Sequence, residues 1–134
     1  MPFARISVGQ HRSAAAIKAI SDGVYEALVE AVHAPEDDKF QVITRHTADE
    51  LIFSPTYLGI ERSADLTFIQ IFLYPGRTVA QKKLLHHTIA QKLADNPGMR
   101  QEDVFIILVD VPRENWSYGN GEAQFAPKEE PAAS

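Results

Sequence analysis

The second residue of the chain is a proline, and its chemistry depends on the methionine in front of it. Initiator methionine is normally removed when the next residue is small, and removal here leaves a secondary amine. A free α-amine titrates near about 8, and burial or a neighbouring guanidinium lowers that value by disfavouring the cation. Such an amine is a base near neutrality, suited to moving a proton at carbon. Met-Pro alone is a common way for a chain to begin, so the surrounding residues must supply the context. Arg12 and Arg77 do so by position, each followed by a hydroxyl residue, Ser13 or Thr78, that marks a helix start. Other chemistry-bearing types offer less. His86 and His87 are adjacent on a helical stretch and point in different directions, and His11, His33 and His46 have no metal-ligand spacing. There are no cysteines, no glycine-rich phosphate loop and no nucleophile elbow. No metal or cofactor is expected.

These residues are positioned by a repeated unit. At a constant offset of 65 positions, Ala4, Ile6 and Val8 fall on Ile69, Ile71 and Leu73, and Arg12-Ser13 falls on Arg77-Thr78. Ile20, Val24 and Leu28 fall on Leu85, Ile89 and Leu93, Asp38 on Asp103, and Phe40 on Phe105. Each half alternates with period 2, then with period 3.6, then enters a second β-rich run. This predicts two tandem β-α-β units, over about residues 2–46 and 67–110, in an α+β fold. The short connections suit right-handed crossovers between parallel strands, giving a four-stranded sheet with two helices on one face. Ser13 caps the first helix, which carries Ile17, Ile20, Val24, Leu28 and Val32 down one side, and Thr78 caps the second. Turns at Ala34-Pro35-Glu36-Asp37 and Asn96-Pro97-Gly98 end them.

Two helices cannot cover both faces of a sheet. The other face presents Phe3, Arg5 and Ser7 from the first strand and Phe68, Gln70 and Phe72 from the third, a mixture expected to be buried by symmetry-related chains. Residues 47–65 are expected to hold a short extra strand around Leu51–Phe53, and Gly119-Asn120-Gly121 signals a C-terminal hairpin. Residues 1–125 read as one domain and 126–134 as a disordered tail.

Composition sets the outer limits. With 134 residues, 45% hydrophobic and 23% charged, the chain can bury a core without disulfides. Its 13 basic and 18 acidic residues give a net charge of −5, which excludes a general binder of nucleic acid or anionic membrane. No apolar run approaches the ~18 residues of a membrane helix, and Met1–Arg5 lacks a signal-peptide pattern, so a cytoplasmic protein is expected.

Pro2, the strand Ala4–Val8, Arg12-Ser13 and the first β-α-β unit resemble 4-oxalocrotonate tautomerase and its superfamily. The second half repeats the signature in Tyr74-Pro75-Gly76-Arg77-Thr78. A chain of two fused units is most similar to the malonate semialdehyde decarboxylase branch, with local matches at Ala34–Gln41 and at Trp116–Phe125. The resemblance implies that Pro2 is the catalytic amine, that Arg77 binds the substrate carboxylate, and that Asp38 polarises a water or steadies a cationic Pro2. It implies that Trp116, Tyr118 and Phe125 form a hydrophobic wall that desolvates Pro2, and that the assembly is a trimer. Arg12 matches the single-unit tautomerases and is a further candidate for substrate binding. The branch carries arginines on both sides of the proline after the third strand, whereas this chain has Tyr74 on one side. Tyr74 can donate a hydrogen bond to substrate but cannot neutralise a carboxylate.

Each role has an ordinary counterpart. Arg77 could be a solvated residue of a first turn, the aromatic residues could be packing, and Asp38 sits in an acidic run that suits a turn, as Asp103 does. The implied function is a cofactor-independent keto–enol tautomerase acting on a small 2-oxo or 3-oxo acid. The alternatives are a decarboxylase or hydratase of the malonate semialdehyde decarboxylase type, in which Pro2 works as a cation, and a non-enzymatic oligomeric binding protein on the same fold.

Overall fold

Alternating apolar residues become four strands of equal length in the structure, a computed structural model that describes residues 2–129. In chain order these are β1 (Phe3–Gly9), α1 (Ala14–Val32), β2 (Phe40–His46), β3 (Thr67–Leu73), α2 (Val79–Asp95) and β4 (Val104–Asp110). The sheet order is β2-β1-β3-β4. β1 runs parallel to β2 and β3 parallel to β4, so each half is the β-α-β unit its sequence predicts. The two units join through an antiparallel β1–β3 pair.

That central pair decides which parts of the chain meet. Phe3 opens β1 opposite Phe40, which opens β2, and opposite Phe72 near the end of β3. Leu73 in turn pairs with Asp110 at the end of β4. Pro2, the segment before β2, the Tyr74–Thr78 connection and the chain beyond β4 therefore share one end of the sheet. The end of β1, the start of α1 and the start of β3 gather at the opposite end.

Ala4, Ile6, Val8, Ile69, Ile71 and Leu73 point to the helices and are buried with Ile20, Val24 and Leu28 of α1 and Leu85, Ile89 and Leu93 of α2. Each large aliphatic side chain buried there contributes about 1.5–3 kcal/mol. Gly23 lets the helices close on one another, since a Cβ there would stand 2.9 Å from Leu93 Cδ2. Both expected caps form. Ser13 Oγ accepts from Ala16 N at 3.1 Å. Thr78 Oγ1 accepts from Gln81 N at 3.1 Å while Gln81 Oε1 accepts from Thr78 N at 2.9 Å, a reciprocal box.

The opposite sheet face is uncovered in the single chain. Phe3 packs on Phe72 and Phe68 on Phe105, yet Phe40, Val42, Phe105 and Ile107 are 52%, 41%, 43% and 46% exposed.

Two expected strands do not form among the described residues. Leu51–Phe53 is irregular, because Thr47 N and Oγ1 both donate to Glu50 Oε1, at 2.9 and 2.7 Å, and close a tight turn just before it. The C-terminal hairpin is also absent. Gly119, Asn120 and Gly121 take φ values of 138°, 61° and 68° in succession, which coils the chain. The Gln124 side chain accepts from Tyr118 N and donates to Gly119 O, occupying groups that a ladder partner would need. Of the expected disordered tail, residues 130–134 lie outside the described residues, as does Met1. Among the described residues, no helix is long and apolar enough to cross a membrane.

Asp103 shows what the acid before a second strand does when its role is structural. Its carboxylate is fully buried and accepts from Ser63 N at 2.7 Å and Ser63 Oγ at 2.6 Å, tying the inter-unit segment to the start of β4. Asp103→Ala leaves those donors unpaired and is expected to cost about 1–3 kcal/mol. Urea denaturation of the variant checks this, and an unchanged midpoint refutes the assignment.

Candidate active site

Pro2 is buried and lines a cavity of about 490 Å³ together with Phe40, Gln41, Val42, Asn115, Trp116 and Tyr118. Strand pairing explains the first group and the chain beyond β4 explains the second. After Asp110 that chain folds back, held where Trp116 Nε1 donates to Val111 O at 3.1 Å. Trp116 stacks on Tyr118 with ring centroids 5.8 Å apart, and Tyr74 meets Trp116 edge-on at 5.6 Å. Phe125 meets Tyr118 edge-on at 5.8 Å, behind the cavity lining. The hydroxyls of Tyr74 and Tyr118 share a 2.8 Å hydrogen bond. Burial and then that bond push the Tyr118 phenol well above its ordinary value, so it stays neutral at physiological pH.

Asp38 is held by the turn before β2, where its N–H donates to Pro35 O at 3.1 Å. Both its carboxylate oxygens are buried with no hydrogen-bond partner among the described residues. Burial pushes this carboxyl above the usual range, and the neighbouring Asp37 adds to the shift. Asp38 is close enough to the aromatic wall for its charge to act on Tyr118. Asp103, its counterpart in the repeat, has every structural partner that Asp38 lacks.

Arg77 is partly buried at the start of α2, and its Nη1 donates to Tyr74 O at 2.9 Å. It does not line the Pro2 cavity; it holds Tyr74, whose ring and hydroxyl meet Trp116 and Tyr118 of the cavity wall. Burial pulls its pKa down, with Asp110 opposing and Arg113 reinforcing that pull, but an arginine remains a cation throughout. Asp110 is itself engaged by Lys82 Nζ at 3.3 Å.

The single chain does not bring Arg12 to Pro2. Arg12 follows the far end of β1, roughly 20 Å away by strand rise, where its Nη2 donates to Asp65 O at 3.2 Å beside the His11–Asp65 pair. A cavity of about 580 Å³ at that end is lined by His11, His46 and Arg62. The position shared by Arg12 and Arg77 in the repeat therefore lands at opposite ends, because the central strands are antiparallel.

Arg113 and Asn115 went unnoticed in the sequence. Arg113 places its guanidinium 4.6 Å from the Tyr74 ring centroid, and Asn115 lines the Pro2 cavity. Their one signal is proximity to Trp116 within Pro112–Trp116, since neither falls on the repeat or on a helix start.

The family described as tautomerase enzyme matches residues 38–119, from Asp38 past Trp116 and Tyr118 and short of Phe125. The probable tautomerase YusQ of Bacillus subtilis strain 168 is 40% identical over 124 residues, 92% of this chain and 98% of its own. The chain belongs to the tautomerase family. A solved structure of FG41 malonate semialdehyde decarboxylase inhibited by 3-bromopropiolate superimposes with a TM-score of 0.87 at 35% identity, covering 92% of this chain and 93% of the other. The 2-hydroxymuconate tautomerase of Pseudomonas putida is 37% identical over 51 residues, 38% of this chain and 81% of its own. That stretch is about the length of one β-α-β unit, in keeping with a member of the family built from two.

A buried carboxylate with a raised pKa opposes folding wherever it is ionised. The cost is absent below the unfolded pKa, grows as pH rises through the window up to the folded pKa, and is fully present above it. Asp38→Asn is therefore expected to raise Tm at pH 7, with the gain vanishing near pH 3. Thermal unfolding across that range checks the sign, and a lower Tm at pH 7 contradicts it.

Proposed function

We propose that this tautomerase-family chain catalyses keto–enol tautomerisation of a small 2-oxo or 3-oxo carboxylic acid, using the amine of Pro2 after removal of Met1. The observation that carries this reading is the burial of Pro2 in a cavity walled by Trp116 and Tyr118, at the sheet end that also holds Arg77. Neutral Pro2 takes a proton from the carbon beside the ketone, and the C–H electron pair moves to form the enolate. The resulting secondary ammonium returns the proton to oxygen or to another carbon. Arg77 holds the carboxylate through its guanidinium fork and offsets the negative charge that develops. Trp116, Tyr118 and Phe125 keep water from Pro2, and Tyr74 braces Arg77 while its hydroxyl fixes Tyr118.

A second reading is supported by Asp38. Its two oxygens, without a partner among the described residues, suit a group that handles water or balances a cationic Pro2, as a decarboxylase or hydratase needs, and the 35% identity to the FG41 decarboxylase points the same way. The two readings differ in the charge of Pro2. Arg77 and burial pull its pKa down, and Asp38 pulls it up.

The uncovered face supports burial by further copies of the chain, and the resemblance to the 4-oxalocrotonate tautomerase superfamily makes a homotrimer the expected assembly. Phe40 and Val42 belong both to that face and to the cavity wall, so a covering copy would also close the site. Multi-angle light scattering is expected to give three times the chain mass, and a stable monomer contradicts this.

The activity reading is tested with 2-oxo-3-pentynoate. The Pro2 lone pair adds to the alkyne carbon β to the ketone, a C–N bond forms as one π bond breaks, and the proton moves to the α carbon. Intact mass and peptide mapping are expected to show loss of Met1 and one adduct on Pro2. Retained Met1, or a free Pro2 left unlabelled, favours the non-enzymatic binding protein. Pro2→Ala replaces the secondary amine with a primary one and is expected to lower kcat/KM by about 10²-fold or more, and unchanged turnover removes Pro2 from the chemistry.

A further inference from the structure

We propose that Arg113 is a second substrate-binding cation of the Pro2 site, acting with Arg77 on the carboxylate of the acid. The inference rests on the reading of Pro2 and Arg77 above and adds a residue that neither the repeat nor the helix starts indicate.

The geometry begins with Tyr74. Arg77 donates to its backbone oxygen at 2.9 Å, and the Arg113 guanidinium lies over its ring at 4.6 Å. One buried residue thus holds two cations, one through its main chain and one through its π-face. The same ring meets Trp116, and its hydroxyl meets that of Tyr118, both of which line the Pro2 cavity. Arg113 is also fixed along the backbone. Trp116 N donates to Arg113 O at 3.3 Å, which closes the short turn that delivers Asn115 and Trp116 to the cavity.

The charges around this cluster are unbalanced. Neither Arg77 nor Arg113 forms an ion pair among the described residues, while Asp110 is taken by Lys82. Asp110 offsets part of the charge on Arg77 but is shared with Lys82, and an anion bound between the two guanidiniums relieves the repulsion that remains. The charge of Arg113 acts on Arg77 and also reaches Tyr118 in the cavity wall. Arg113 is itself exposed, so its fork keeps free donors after stacking on Tyr74. Arg113 does not itself line the cavity of the single chain; an acid whose oxo end faces Pro2 and whose carboxylate extends past Trp116 toward Tyr74 would meet these donors, and an uncharged ketone of the same shape would not.

The experiment compares inactivation by 2-oxo-3-pentynoate with inactivation by 3-pentyn-2-one, in which a methyl group replaces the carboxylate. The readout is the ratio of the two second-order rate constants for labelling of Pro2 in the full chain. Arg113→Gln and Arg113→Met, the latter keeping an apolar stem over Tyr74, are each expected to lower the acid-to-ketone preference about tenfold or more. Arg113→Lys is expected to restore most of it. A residue that only packs on Tyr74 would change both rates together, and an unchanged ratio in both neutral variants overturns the proposal for Arg113 while leaving Pro2 and Arg77 in place. If the unsubstituted chain is labelled by neither reagent, the reading of Pro2 fails and the proposal falls with it.

Discussion

The antiparallel pairing of β1 with β3 is the constraint on which the site depends. Each β-α-β unit has the same internal path, but the Phe3–Phe72 register turns the second unit end for end against the first. The start of one unit then meets the end of the other. Pro2 and Asp38 come from the entrances of β1 and β2, and Tyr74, Arg77 and the aromatic segment come from the exits of β3 and β4. A parallel join would have placed Arg77 at the far end, beside Arg12.

Duplication supplies paired positions, and their surroundings make them unequal. Asp38 and Asp103 occupy the same place in the repeat, yet Asp103 accepts two hydrogen bonds from Ser63 while the buried carboxylate oxygens of Asp38 have no partner among the described residues. An orphaned carboxylate is a cost to folding, which a functional site can carry and a structural position does not need to. Arg12 and Arg77 diverge in the same manner. Arg12 is bound into its own end by Asp65, while Arg77 donates to Tyr74, which packs on the aromatic wall of the Pro2 cavity.

How much of this was legible depended on whether the signal was local. The strands, both helix caps and the inward sets Ala4, Ile6, Val8 and Ile69, Ile71, Leu73 follow from periodicity and capping chemistry, which neighbouring residues alone decide. The uncovered face followed from counting helices against sheet faces. The missed features depend on distant partners or on competition among local turns. Leu51–Phe53 has strand-like residues but a Thr47–Glu50 turn in front of it, and Gly119-Asn120-Gly121 has turn residues but three successive left-handed φ values and a Gln124 side chain that occupies the backbone groups. Arg113 was invisible because its importance lies in a ring 39 positions earlier in the chain.

The central claim is that Pro2 is a free amine held neutral enough to act as a base. Nitrogen NMR of protein labelled at proline measures it directly, by following the Pro2 signal as pH is varied. The account predicts one titrating secondary amine with a midpoint below the value of about 8 for a free α-amine, lowered by burial and by the arginines beside Tyr74. A Pro2 nitrogen that never titrates, or one that remains cationic well above that pH, would contradict it.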